Sequence, residues 1–259
     1  TLYQSYRVPF EIHQLAERVV SRIKKRFLKE YKPKVDAYGS IRRIFSIEEI
    51  DMSEGSWLIM AQAGYQLNPV SGELRSSGYL FNNRGHRSIS ENISDAVNGW
   101  EQLRKGKEVN GAVARKIYSF MSTKDRVARG FKKLTSVEDT DLLDLKALTA
   151  DHGLLATEDM VWHIAMDRMP ENERAYIIAM LRRGERFNGE PRITVSTIHG
   201  AKGGEADNVV LFTDLSPASE EQMTINPDDM HRVFYVGVTR AKENLFIVEP
   251  EDFTRSYDL

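Results

Sequence analysis

Thr194-Val195-Ser196-Thr197-Ile198-His199-Gly200-Ala201-Lys202-Gly203-Gly204-Glu205 runs from a β-forming stretch into a polar, glycine-rich loop that ends on an acid. Its opening residues, Ile193 to Ser196, predict a strand. Beyond it, Asn208-Val209-Val210-Leu211-Phe212 predicts a second strand. Asn226-Pro227 forms a cap and first-turn pair for a helix running to Arg240, and Leu245-Phe246-Ile247-Val248 predicts a closing strand. Strands alternating with helices predict a mostly parallel α/β sheet with right-handed crossovers. Ligands of such sheets sit at the carboxyl ends of the strands, and the loop from Thr197 to Glu205 leaves a strand at that end.

The N-terminal part repeats the pattern. Pro9 to Leu28 predicts a helix, with Pro9 in its first turn and Ile12, Leu15, Ala16, Val19, Ile23 and Phe27 at spacings of three and four. Lys24, Lys25, Arg26 and Lys29 favour its C-terminal end. Tyr31 to Ser40 predicts a loop, Ser56 to Ala61 a buried strand, Pro69 to Leu74 a turn or two of helix, and Gly78 to Asn82 another strand. A helix opens at Ser90 and stops at Gly106. From Lys105 to Arg192 the periodicity is helical, around Ile117 to Met121, Leu142 to Leu148, Met160 to Met166 and Glu171 to Arg182, with no strand. The expected organisation is a discontinuous α/β domain, 1–104 and 192–259, interrupted by an all-helical insertion, 105–191.

The 259 residues are 41% hydrophobic, enough for one large domain or two small ones. A net charge of -2 argues against a histone-like or tail-driven nucleic-acid binder and leaves room for a local basic groove. The absence of cysteine removes disulfides, thiol catalysis and cysteine-based metal sites. The six histidines show no paired metal-ligand spacing. With no long apolar run and no signal peptide, the expected location is intracellular and cytoplasmic.

Three groups of residues invite chemistry. Thr197 and His199, beside Gly200, Gly203 and Gly204, offer a hydroxyl and exposed backbone N–H groups that bind phosphate oxygens without reading bases, and Lys202 adds a cation. The same residues also suit an ordinary glycine-rich turn. Arg240 follows a helix, where it either favours the helix dipole or offers a planar fork to a phosphate. Tyr6-Arg7, ahead of Pro9, is by itself an unremarkable helix entry. The Gln62-Ala63-Gly64-Tyr65 turn and the basic Asn83-Arg84-Gly85-His86-Arg87 stretch are explained equally well by core, turn or surface roles.

Taken together, these segments resemble the UvrD/Rep-type superfamily 1 DNA helicases. Thr194 to Glu205 is similar to the fifth motif of that family, and Gly203-Gly204-Glu205 stands for its Gly-Leu-Glu. Tyr235-Val236-Gly237-Val238-Thr239-Arg240-Ala241-Lys242 matches the sixth, Tyr-Val-Gly-Ile-Thr-Arg-Ala-Lys, almost position for position. Gln4-Ser5-Tyr6-Arg7 resembles the fourth, Asn-Tyr-Arg. The resemblance implies a RecA-like second motor domain. Thr197 and His199 would grip the single-stranded DNA backbone, and Glu205 the ribose of ATP. Tyr6 would stack on adenine, Arg7 would contact the γ-phosphate, and Arg240 would be the arginine finger. It further implies 3′-to-5′ translocation with duplex unwinding, in DNA repair or replication. Gly237 is read as a close helix-to-sheet contact. The glycine at 204 departs from the family pattern.

The chain has no Gly-x-x-x-x-Gly-Lys-Ser/Thr loop and no apolar strand ending in an Asp-Glu pair. In the family those parts, including the Mg2+ ligands, lie in a preceding RecA-like domain. The expectation is therefore the C-terminal part of a longer polypeptide that alone neither binds ATP tightly nor hydrolyses it. Two other classes stay open. One is a non-catalytic nucleic-acid-binding module of a helicase-like repair or nuclease complex. The other is a nucleotide-binding α/β protein unrelated to DNA. RNA in place of DNA also remains open.

Overall fold

The computed structural model describes residues 3–27, 30–250 and 252–259. The chain divides into two compact units, one running up to Ser88 and resuming over Glu190–Leu259, the other Ile89–Gly189. The first unit opens with α1 (Phe10–Ser21), β1 (Ser40–Ile44), β2 (Trp57–Ala61), α2 (Asn68–Ser76), β3 (Phe81–Asn83) and β4 (His86–Arg87). The second holds α3 (Glu91–Arg104), β5 (Val109–Asn110), α4 (Gly111–Ser119), β6 (Leu142–Leu143), α5 (Leu145–Asp151), α6 (Trp162–Ala165) and α7 (Glu171–Arg183). The first unit then resumes with β7 (Ile193–Thr197), β8 (Ala206–Phe212), α8 (Pro217–Ile225), α9 (Pro227–Val238) and β9 (Ala241–Val248).

In the first unit seven strands form one sheet in the order β1-β9-β8-β2-β7-β3-β4. Neighbours are parallel except at the β3–β4 hairpin. Central β2 is buried along its whole length, which explains its unbroken Trp-Leu-Ile-Met-Ala run: both faces of a parallel sheet are covered. On one face Leu58, Met60, Val209, Leu211, Leu245 and Ile247 share a core with Ile12, Leu15 and Val19 of α1 and with Phe234 and Val238 of α9. Phe234 is fully buried and stacks on Tyr257 at 4.0 Å between ring centroids. Truncating such a ring to alanine costs about 3–5 kcal/mol.

The structure departs from the sequence reading in several places. Pro9 is the N-cap of α1, with ψ at 170°, and not a first-turn residue. The helix ends at Ser21, short of the predicted limit. The buried carboxylate of Asp228 accepts the backbone N–H groups of Lys24 and Lys25, both at 2.9 Å, and draws the chain out of helical geometry. Phe27 consequently stands exposed, while Leu28 and Lys29 lie outside the described residues. The strand expected from Gly78 begins only at Phe81, because Gly78 (φ +73°) and Tyr79 close the end of α2. Three elements of this unit, β1, β4 and α8, have no counterpart in the sequence reading.

In the second unit the expected helices are present, and α7 ends at Gly184 in the left-handed conformation (φ +82°). The expectation of no strand here is corrected: Val109 and Asn110 pair with Leu143 and Leu142 in a short antiparallel ladder. Asp144 then caps α5 through the N–H of Ala147. The sequence reading placed the break between parts after Arg104, whereas α3 packs within the second unit. A Cβ on Gly99 of α3 would meet the side chain of Val113 of α4.

Candidate nucleotide and nucleic-acid sites

Two edges of the sheet carry the residues singled out above, and one short segment joins them. Thr197 is the last residue of β7, level with Ala61, the last of β2. Ile198 continues that pairing, its N–H donating to the Ala61 carbonyl at 3.0 Å. β8 begins at the other edge, with Asn208 beside Trp57. Because β2 lies between β7 and β8 and all three are parallel, Ile198 to Glu205 crosses the sheet from its carboxyl to its amino edge. Thr197 and His199 therefore sit where the strand rule puts ligands, and Glu205 sits at the opposite edge.

The crossover is built from alternating anchors and free positions. Ile198 and Ala201 are buried in the core shared with α9, while His199 and Lys202 are exposed. The Thr197 hydroxyl accepts the Gly200 N–H at 3.0 Å and its carbonyl accepts the Ala201 N–H at 2.9 Å, which winds the segment into tight turns. Gly203 holds φ at +89°, a conformation that glycine reaches without strain. Gly204 contributes its carbonyl to Arg240. On the neighbouring strand end, Gln62 has a buried carbonyl oxygen without a partner and Tyr65 is exposed. Arg84, at the tip of the β3–β4 hairpin, donates to the Gly64 carbonyl.

At the amino edge the entries of β8 and β9 are adjacent, with Ala206 N–H donating to the Arg240 carbonyl at 3.2 Å. Arg240 is held by two carbonyls. Its Nε donates to Val236 at 3.0 Å and its Nη1 to Gly204 at 3.2 Å. Glu205 takes two cations, Arg7 Nη1 at 3.0 Å on Oε2 and Lys242 Nζ at 2.7 Å on Oε1. Lys242, followed by Arg7, holds the Glu205 carboxyl below its ordinary range. Burial, followed by the charge of Arg7, lowers the proton affinity of Arg240. Guanidinium is nevertheless a permanent cation at neutral pH.

The N-terminal segment brings Tyr6 and Arg7 to this edge. Ser5 N–H donates to the Lys32 carbonyl at 2.8 Å. The buried Ser5 hydroxyl accepts Val8 N–H at 2.9 Å and Arg7 N–H at 3.2 Å. That turn projects the Tyr6 ring outward, 79% exposed. Tyr6, Arg7 and Arg240 line one cavity of about 710 Å³, together with Tyr31, Tyr235 and Val236. The Arg7 Nε is buried and lacks a hydrogen-bond partner. An orphaned cationic donor beside a second guanidinium fits an anionic ligand. The structure thus gathers Tyr6, Arg7, Glu205 and Arg240 at one edge, and Thr197, His199 and Lys202 belong to the crossover that leads there.

Lys242, at the end of the sixth-motif match, is a site residue that sequence reasoning misses. Its partner is distant in sequence and becomes its neighbour only through the β8–β9 register. Among the described residues no group of three or more His, Asp or Glu side chains could hold a metal ion. No helix among them is long and apolar enough to cross a membrane.

A mostly parallel sheet flanked by helices, with a conformationally fixed loop crossing it, defines an α/β domain of RecA-like type. The profile of the UvrD-like helicase C-terminal domain matches residues 83–251, well over half of the chain, and the protein belongs to that family. The match spans Thr197 to Lys242, while Tyr6 and Arg7 precede it. No curated protein matches the chain.

Proposed function

We propose that this domain is the second motor domain of an ATP-dependent DNA helicase that moves 3′ to 5′ on single strands and unwinds duplexes. An upstream P-loop domain of the same polypeptide would supply the rest of the ATP site and the Mg2+ ligands. The observation that carries this reading is the pairing of Arg7 and Arg240 in one cavity beside an exposed Tyr6. Glu205 offsets only part of the repulsion between these two guanidinium groups, and a phosphate in the cleft would offset more of it. In this reading Tyr6 stacks on the base and Arg7 and Arg240 neutralise the terminal phosphate, where charge develops during phosphoryl transfer. Bound magnesium would supply positive charge against the phosphates, held by residues of the upstream domain and not by this chain's described residues. Glu205 accepts a ribose hydroxyl.

At the other edge Thr197 and His199 hold the phosphodiester backbone, and Lys202 adds a cation from the crossover. The crossover makes both sites parts of one rigid sheet, so closure of the two domains on ATP would carry the strand with it. The test uses the full-length polypeptide on duplexes bearing a 3′ or a 5′ single-stranded tail. Single strands should stimulate ATP hydrolysis, and only the 3′-tailed duplex should unwind. Thr197→Ala with His199→Ala should weaken oligonucleotide binding at every salt concentration, and Lys202→Ala should flatten its salt dependence by about one phosphate contact. Unwinding from the 5′ tail, or hydrolysis indifferent to DNA, would sink the assignment.

A further inference from the structure

Glu205 divides its two oxygens between two cations of different kinds. Lys242 Nζ lies 2.7 Å from Oε1, and Arg7 Nη1 lies 3.0 Å from Oε2. Lys242 comes from β9, within the sheet, and Arg7 from the N-terminal segment outside it. All three side chains are about one-third exposed, at 36% for Lys242, 39% for Glu205 and 33% for Arg7, so each is open to a ligand. An ammonium satisfies one carboxylate oxygen as a point charge. A guanidinium fork prefers both oxygens at once. Arg7 makes only the single bond here, and Lys242 occupies the other oxygen.

A nucleoside triphosphate brings two things to this arrangement: an anion that competes for Arg7, and sugar hydroxyls that can donate to a carboxylate. If Arg7 turned to phosphate without replacement, Oε2 would lose its donor. A ribose hydroxyl at that position restores it one for one. We propose that Lys242 is a positioning residue for nucleotide recognition: it fixes Glu205 through Oε1, so that Oε2 exchanges the Arg7 guanidinium for a ribose hydroxyl when a nucleoside triphosphate enters. Without Lys242 the carboxylate is no longer held through Oε1, and Oε2 is not presented to the sugar; the phosphate contacts are untouched. This inference rests on the nucleotide reading of the cleft given above.

The test is a thermodynamic cycle between protein and sugar. Binding of a non-hydrolysable ATP analogue and of its 2′,3′-dideoxy counterpart is measured by calorimetry on the full-length polypeptide and its Lys242→Ala, Lys242→Arg and Glu205→Gln variants. The native protein should prefer the ribonucleotide by about tenfold, the size of one hydrogen bond to a charged acceptor. Lys242→Ala should bind the ribonucleotide about tenfold more weakly and the dideoxy analogue nearly unchanged, and Glu205→Gln should likewise lose sugar preference. Lys242→Arg should restore most of it, with the thermal midpoint unmoved in each variant. Equal weakening of both nucleotides by Lys242→Ala, or preserved sugar preference, would overturn the positioning role while leaving the cleft intact. If Arg240→Ala also left turnover unchanged, the nucleotide reading beneath it would fall as well.

Discussion

Replacing Arg240 by alanine separates a catalytic guanidinium from a structural one, because the two roles differ in size. Structurally, the side chain makes two hydrogen bonds, to the carbonyls of Val236 and Gly204. A charged donor contributes about 1.5–3 kcal/mol per bond when fully buried. Arg240 is only partly buried, and its removal also relieves desolvation and the repulsion from Arg7. The net loss of stability is therefore about 1–2 kcal/mol. Against a total of about 5–15 kcal/mol, the domain stays folded. An arginine that meets charge developing on a transferring phosphoryl group is worth about 10³–10⁵ in turnover, or about 4–7 kcal/mol of barrier. The two ranges do not overlap.

The assay is steady-state ATP hydrolysis by the full-length polypeptide at saturating single-stranded DNA, alongside thermal unfolding and oligonucleotide anisotropy. Arg240→Ala should lower kcat by at least about a thousandfold, with the midpoint down by only a few degrees and DNA affinity preserved. Arg240→Lys should recover little, since one ammonium cannot reach two carbonyls and a phosphate with the geometry of a fork. Turnover within tenfold of native would refute the catalytic assignment. A collapse of turnover, melting and DNA binding together would make Arg240 a structural residue.

Gly237→Ala places a Cβ 3.1 Å from Leu211 Cδ1, so the crowding of a buried leucine, about 1–3 kcal/mol, outweighs a helix-propensity gain of about 1 kcal/mol. Denaturant unfolding should show a net loss of about 1 kcal/mol, and a gain in stability would refute the close approach. His231 is buried against the Tyr257 hydroxyl at 2.8 Å, and burial, then Arg22, push its pKa below the ordinary 6.5. The unfolded chain then binds the proton first, so stability is full above about pH 6.5 and declines as pH falls toward the folded value. His231→Gln should flatten that limb of the melting-temperature profile, and an unchanged limb would assign it to other groups.

What the sequence made legible follows from how strongly each segment is specified locally. β2 and β8 are read from their apolar runs, which burial in the middle of the sheet demands, and β7, Ile-Thr-Val-Ser-Thr, from its β-branched residues. The edge strand β1 is not legible because Ser-Ile-Arg-Arg-Ile has a single fully buried residue, Ile44, and gains its place by pairing with β9. The helix α8 buries one residue, Ser219, and so lacks an apolar stripe, although Ser216 and Pro217 supply its start. Leu142-Leu143 looked helical by spacing and became a strand because Val109-Asn110 offered a ladder. At the site, Tyr6, Arg7, Glu205 and Arg240 could be placed by motif. Their partition of hydrogen bonds among Lys242, Gly204 and Val236 could not, because each of those bonds depends on tertiary placement.

The separation of the two sets of residues by the thickness of one sheet edge to the other is what makes the crossover consequential. A loop fixed only at its ends would absorb a displacement at Glu205 before it reached Thr197. This one is pinned twice along its length, by Ile198 and Ala201 in the core beneath α9, and it ends on the strand that enters beside Arg240. Packed interiors are close to incompressible, so a pinned segment moves with its sheet and not within it. An event that shifts the amino edge must therefore shift the carboxyl edge as one body. The glycines at 200, 203 and 204 do not contradict this. Gly203 permits the turn, Gly200 sits over the Ser196 and Thr197 hydroxyls where a Cβ would crowd them, and Gly204 is tied to Arg240 through its carbonyl. Of these glycines only Gly200 is packed against side chains, and the segment is held by the buried Ile198 and Ala201 that flank it.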